Sequence, residues 1–268
     1  MRVVFAGLIV AFFVGVALAS PVPQGAAKWV TLKGKVVWPE TKPIPDPKFH
    51  NITPNHPDGA YTLRGGPVLD EELLVHAKTR GLKHVVVWLR PDNDLLAAKA
   101  AFPTELIHHS LTKPKSVQHT VTISFCRYDR RVLAARVGDT LEFVNNSAVA
   151  TNAKLGGTND FNILIPPDRS HVSKPFVADI SPVWFDSSVH PWMKGLLRVF
   201  DHPYYAITDE HGHFEMKQVP IGKWRMMYWH ELGFHKGRDG RLGYPIEVKD
   251  DGAAKRALSP VEYLAPEK

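Results

Sequence analysis

The sequence predicts an all-β protein, and three observations carry that expectation. Short runs that alternate apolar and polar residues, such as 29–38 and 118–125, recur along the chain. Turn-forming residues separate them, with 19 glycines and 22 prolines among 268 residues. Helical character is confined to one alanine-rich stretch, 94–101, which Pro103 ends. An apolar share of 44% is enough to bury a sizeable core.

Taken in order, residues 1–20 read as a secretory signal: Arg2, the apolar run 3–16, then the small-residue cleavage site Ala17-Leu18-Ala19. That run is short for a membrane span, and Ser20-Pro21 argues for release, so the expected destination is periplasmic or secreted. No later segment approaches a transmembrane length. Cys126 is the single cysteine, which excludes an intramolecular disulfide and leaves stability to packing.

After a proline-containing linker, 29–38 alternates as a strand, and the proline-rich stretch 39–57 reads as an extended surface loop. The unbroken apolar run 84–89 predicts a strand buried on both faces. Next come 118–125, then a strand, a Gly138-Asp139 turn and a second strand over 128–146. Candidate strands follow at 161–165, 171–176 and 183–186. Farther on, Gly212 makes one turn, Pro220 and Gly222 another, and Trp224, Met226 and Tyr228 share one strand face. From Asp251 the chain is polar and expected to be loosely attached.

The stretch with the clearest chemistry is Ser187-Ser188-Val189-His190-Pro191-Trp192-Met193-Lys194-Gly195. An imidazole and a thioether three residues apart, in a tight loop before an apolar strand, suit copper, which accepts both donors. The same loop can equally be a packed turn without metal.

Two segments resemble known families. The run Gly138-Asp139-Thr140-Leu141-Glu142-Phe143-Val144-Asn145 resembles the cupredoxin pattern that leads into a first histidine ligand, and the loop at 187–193 resembles the ligand loop C-x-x-H-P-x-M. The resemblance implies a Greek-key copper domain over 113–202. Residue by residue, His190 and Met193 match metal ligands, while Thr151 and Ser187 stand where the family has histidine and cysteine. A hydroxyl does not replace a thiolate at neutral pH, so the implied type 1 copper site is incomplete. Cys126 is either a buried structural thiol or an extra ligand.

The second resemblance runs from Thr208-Asp209 through Gly212, Phe214, Val219-Pro220, Gly222 and Trp224 to a carboxypeptidase-regulatory, prealbumin-like β-sandwich, whose opening G-x-V strand is supplied by Gly34-Lys35-Val36. The implied organisation is a signal at 1–20, a discontinuous prealbumin-like sandwich from 28–112 plus 203–250, the cupredoxin-like domain 113–202 within it, and a polar tail at 251–268. As a whole the chain looks like exported cupredoxin-domain proteins of planctomycete-type bacteria, some labelled methylamine-utilisation proteins.

Other constellations carry less. His230-Glu231-Leu232-Gly233-Phe234-His235 misses the zinc-protease spacing by one residue in a strand-rich context. His211 and His213 flank a turn glycine and can share one face, and His108-His109 needs a partner from elsewhere. His202 falls at the expected domain junction. No nucleophile elbow, phosphate loop or nucleic-acid module occurs. Net charge is +6, with basic residues at Lys113, Lys115, Arg127, Arg130, Arg131 and Arg136 that read as a solvated face or, second, as a dock for an acidic partner. The expectation is a non-catalytic exported protein with weak or lost copper binding and a redox or envelope partner. The alternative is a metal-free structural, carbohydrate- or protein-binding module, with Trp184 and Trp192 as candidate stacking surfaces.

Overall fold

The computed structural model describes residues 29–53, 55–92, 101–112, 116–179, 181–249 and 255–266. The expected signal (1–20), the alanine-rich run 94–101 up to Ala101, and Lys113 and Lys115 lie outside the described residues. The main strands are β1 (Trp29–Val37), β2 (Val86–Pro91), β3 (Gln118–Ile123), β4 (Val132–Arg136), β5 (Thr140–Asn145), β6 (Thr151–Leu155) and β7 (Phe161–Ile165). They continue as β8 (Arg169–Val172), β9 (Val183–Asp186), β10 (Lys194–Phe200), β11 (Tyr205–Ile207), β12 (His213–Pro220), β13 (Gly222–His230) and β14 (Tyr244–Val248). Two short helices are described, α1 (Gly59–Leu63), just after the expected surface loop 39–57, and α2 (His109–Thr112). Among the described residues no helix is long and apolar enough to cross a membrane.

Strands β3 to β10 form a Greek-key sandwich of the cupredoxin type. One sheet runs β8-β5-β3, the other β4-β10-β9-β6-β7. Two pairs are parallel, β3 with β5 and β4 with β10, while the others are antiparallel. Sequence alternation becomes burial alternation along β5, where Leu141, Phe143 and Asn145 point inward. Leu141 and Phe143 enter a core shared with Val121, Phe185 and Val199. Asn145 is buried and satisfied: its amide donates to the carbonyls of Val149, Ile165 and Pro166, and its Oδ1 accepts from Ser147 N. That one side chain shapes the loop that delivers Thr151.

A second sandwich is built from the flanking segments, with sheets β12-β1 and β11-β2-β13, the latter extended by β14. Strands β2 and β13 bury both faces, as the run 84–89 predicted. Val87, Leu89, Trp224, Met226 and Tyr228 enter the core of this sandwich. Val86, Trp88 and Met227 turn to the other side and meet Phe200, Val132 and Ala134 of the inner sandwich. Arg198 lies in this seam over the rings of Trp88 and Phe200.

Three expectations need correction. The turns at Gly212 and at Pro220-Gly222 do not close hairpins: β12 pairs with β1, whereas β11 pairs with β2 and β13 with β2 and β14, so each turn carries the chain across the sandwich. Gly212 is needed there, since its φ is +78° and its Cα faces Gly81 and the Val36 carbonyl, where a Cβ has no room. Of the segment from Asp251 expected to be loose, the described residues 255–266 are packed: Lys255–Ala257 and Val261–Glu262 pair in parallel with β1, and Tyr263 is fully buried. Its polar residues occupy the outer face of an edge addition, which composition alone does not reveal. Nor are all the basic residues a solvated face, because Arg131 is buried against Glu231 and Arg136 donates to the Leu111 carbonyl.

The Arg131–Glu231 pair joins the two sandwiches, with both side chains under 10% exposed (6% and 9%). Breaking such a pair strands a buried charge. Glu231→Ala should therefore lower unfolding free energy by about 3–5 kcal/mol, while the apolar pair Arg131→Met/Glu231→Leu should recover most of it; urea denaturation measures both. Three histidines near the seam, His202 and His230 buried and His84 nearly so, contribute to the pH response. Burial pushes His84 and His202 down to about 3, with Lys83 and then His230 adding for His84, and Arg198 and Arg136 for His202. Burial likewise takes His230 down to about 4. Folded pKa values below the unfolded one mean that the unfolded chain takes up protons first. Stability should be full above about pH 6.5 and fall toward pH 4, by up to ~1.4 kcal/mol per unit for each histidine. The urea midpoint across this range tests it, and His230→Gln should flatten the slope.

Candidate functional site

The loop between β9 and β10 is fixed by its own backbone. Ser187 N donates to the Met193 carbonyl at 3.1 Å and Met193 N to the His190 carbonyl at 2.8 Å, folding the seven residues into a tight bend. Ser187 completes it. Its Oγ accepts from His190 N at 3.1 Å and Val189 N at 3.3 Å and donates to Asn152 Oδ1 at 2.8 Å. Asn152 Oδ1 also takes Val189 N at 3.1 Å. The hydroxyl is spent as a turn cap, the usual role of serine in such bends.

Thr151, His190 and Met193 do converge. Thr151 Oγ1 lies 3.0 Å from His190 Nδ1 and 3.6 Å from Met193 Sδ. The other ring nitrogen, His190 Nε2, is 3.0 Å from Asp58 Oδ2. A carboxylate only accepts, so Nε2 carries the proton, Nδ1 is the acceptor and the Thr151 hydroxyl donates to it. Thr151 and His190 are fully buried and Met193 is 1% exposed. Burial lowers the His190 pKa, and Asp58 only partly offsets this.

Asp58 and its neighbour His56 are the residues that sequence reasoning missed. They lie at and just past the end of the proline-rich stretch 39–57, more than a hundred positions away, and no local pattern points from there to His190. In space the segment seals the end of the inner sandwich. His56 accepts from Asp58 N through Nδ1 and donates through Nε2 to the Val189 carbonyl, and its ring meets Trp192 edge-on at 4.8 Å. Tyr61 Oη accepts from Ala148 N. Arg127 donates to the carbonyls of Thr62, Gly65, Gly66 and Pro67.

Cys126 does not lie in a strand as expected but in a turn, where Phe125 and Cys126 both have positive φ (51° and 52°). Its N–H goes to Ser147 Oγ and its carbonyl accepts from Trp192 Nε1. Burial pushes the thiol pKa up, against some easing by Thr62. The thiol is thus held neutral in the inner core, the state least able to bind metal.

The donor set does not fit a type 1 copper ion. One imidazole has both nitrogens spent, two hydroxyls stand where stronger donors are needed, and the nearby thiol is protonated. Among the described residues no three histidine, cysteine or acidic side chains converge to hold a metal. The Thr151–His190–Asp58 line has the hydroxyl–imidazole–carboxylate order of a nucleophile relay, yet with Thr151 fully buried no substrate reaches it. His230 and His235 are in a buried strand region, Glu231 is taken by Arg131, and His235 Nδ1 accepts from Leu264 N, so they form no zinc site. His211 lies beside His76 at 4.4 Å between ring centres and 6.2 Å from His213.

No family profile and no curated protein matches the chain. Among solved structures it is similar to a copper-containing nitrite reductase from Thermus scotoductus, with 24% identity over 33% of this chain and 23% of that one, at a TM-score of 0.29. It is also similar to a purple cupredoxin from Nitrosopumilus maritimus (20% identity, 30% of this chain, 98% of that one, TM-score 0.27). An amicyanin from Paracoccus versutus matches at 16% identity over 37% of this chain and 95% of its own, at a TM-score of 0.27. The chain therefore spans about a quarter of the reductase and nearly all of the two small cupredoxins.

Removing either partner of the buried imidazole leaves a nitrogen unsatisfied. Thr151→Val and Asp58→Ala should each cost about 1–3 kcal/mol. Asp58→Ala should in addition speed amide exchange across 55–66, whereas Thr151→Val should leave that segment protected; hydrogen exchange with urea denaturation separates the two.

Proposed function

We propose that the protein is an exported, non-catalytic binding or structural protein in which a cupredoxin-type domain has exchanged electron transfer for a closed joint. The joint clamps the inner sandwich to the segment 55–68. The observation that carries this reading is the occupation of both His190 nitrogens at 3.0 Å, by Thr151 and Asp58. A blue-copper electron-transfer centre needs imidazole nitrogens free to ligate and a strong thiolate donor, and this donor set offers neither. The outer sandwich is read as prealbumin-like from its Thr208-Asp209…Gly212…Pro220…Gly222 run, a scaffold suited to presenting surfaces rather than reacting groups. Export is supported by the leader-like residues 1–20.

Copper titration followed by visible absorption and electron paramagnetic resonance tests it. The natural chain should show no intense thiolate-to-copper absorption and no tight stoichiometric binding. Thr151→His/Ser187→Cys, combined with Asp58→Ala, should gain both. A strong charge-transfer band in the unmodified chain would reject the reading, since only Cys126 could supply the thiolate.

A further inference from the structure

A small pocket of about 160 Å³ opens beside the closed joint, between the segment 67–71, the turn at 127–131 and the start of β10. Its two walls differ in chemistry. One is cationic, with Arg127, Arg130, Arg131 and Lys194. The other is apolar, with Val68, Leu69 and the ring of Trp192. Tyr128 joins the two, its hydroxyl turned away to the Asp186 carbonyl.

The charges on the cationic wall are not balanced internally. Arg131 is neutralised by Glu231. Arg127 is held by four carbonyl oxygens, which orient its guanidinium without cancelling its charge, and its Nε is buried without a partner. Arg130 and Lys194 make no ion pair among the described residues, although Asp186 lies opposite Lys194 across the hairpin. The single carboxylate in the lining, Glu71, leans toward His84 at 3.9 Å. Three cations without carboxylate partners thus face one carboxylate in a concave, half-apolar space. The field reaches the neighbouring His50, whose pKa burial lowers and which Arg131 and Lys194 lower further, against the pull of Asp70.

We propose that this pocket binds a small organic anion, a carboxylate or phosphate group on an apolar or aromatic body. The anionic group would sit against Arg130 and Lys194, within the field of Arg127. The body would lie on Trp192 and Leu69. A bare inorganic ion would leave that wall uncovered, and a neutral molecule would forgo the charge-assisted bonds that dominate such sites. The space, about five waters' worth at ~30 Å³ each, suits a single ring or a short chain. The larger cleft of about 710 Å³ beside Lys33, Tyr205 and Glu215 lacks this imbalance, because Lys33 and Glu215 pair at 2.8 Å.

Isothermal titration of the full chain with benzoate, benzyl alcohol and inorganic phosphate, at constant ionic strength, tests the assignment. Benzoate should bind saturably at one site, at least about tenfold more tightly than phosphate, and benzyl alcohol should give no saturable heat. Arg130→Gln/Lys194→Gln, both at exposed positions, should weaken benzoate about tenfold or more, while the equally charged control Lys223→Gln/Lys236→Gln should not. No saturable benzoate binding, equal binding of benzyl alcohol or phosphate, or equal loss in the control pair would each overturn it.

Discussion

A buried neutral imidazole has to satisfy one donor and one acceptor at the same time, because water is not there to help. His190 meets that requirement with two groups from opposite directions, Thr151 on its own sandwich and Asp58 on the segment that covers it. Much of the local architecture follows. Asn145 shapes the loop that brings Thr151 inward, Ser187 and Asn152 hold the bend that carries His190, and His56, Tyr61 and Arg127 fasten the cover. The contacts of His56, Tyr61 and Arg127 each join a backbone group to a side chain far away in sequence, so the cover and the end of the sandwich act as a single cooperative unit.

The seam between the two sandwiches obeys the same logic with apolar groups. Strands β2 and β13 present Leu89 and Met226 to one core and Trp88 and Met227 to the other. A strand buried on both faces cannot be released from either neighbour without exposing the other. The chain can therefore leave the outer sandwich after β2, build the inner one and return at β11 while the two remain one packed body. The Arg131–Glu231 pair adds direction more than strength, since a buried charge has only one place to find its partner.

How much of this was legible in the sequence depended on the range of the interaction. Alternation found β1, β3, β5 and β7, and the unbroken run 84–89 told of a strand with two buried faces, because both signals are local. The loop at 187–193 was readable as a tight bend before a strand, and Thr151, His190 and Met193 do meet. Asp58 was not readable, because its pairing with His190 closes a loop of more than a hundred residues. The crossings at Gly212 and Gly222 looked like hairpins, since a turn signal specifies the bend but not which sheet receives each arm. The segment 255–263 looked like a loose tail, since an edge strand with one solvated face keeps a polar composition while Tyr263 anchors it.

The misfit with a copper centre is layered rather than confined to Thr151 and Ser187. Replacing Thr151 and Ser187 by histidine and cysteine would restore donor types, yet Ser187 Oγ now caps the bend that positions His190, and Asp58 would still hold Nε2. A cysteine there would have to give up the turn hydrogen bonds to turn its sulfur inward. The carboxylate would go on fixing the imidazole from outside, under a cover fastened by Arg127 through four carbonyls. Arg127 thereby links the two features of this end of the molecule. By binding carbonyls rather than carboxylates, its guanidinium secures the closed joint while leaving its positive charge uncancelled at the edge of the adjoining pocket. Closing this end of the sandwich and charging the space beside it are two consequences of one side chain's choice of partners.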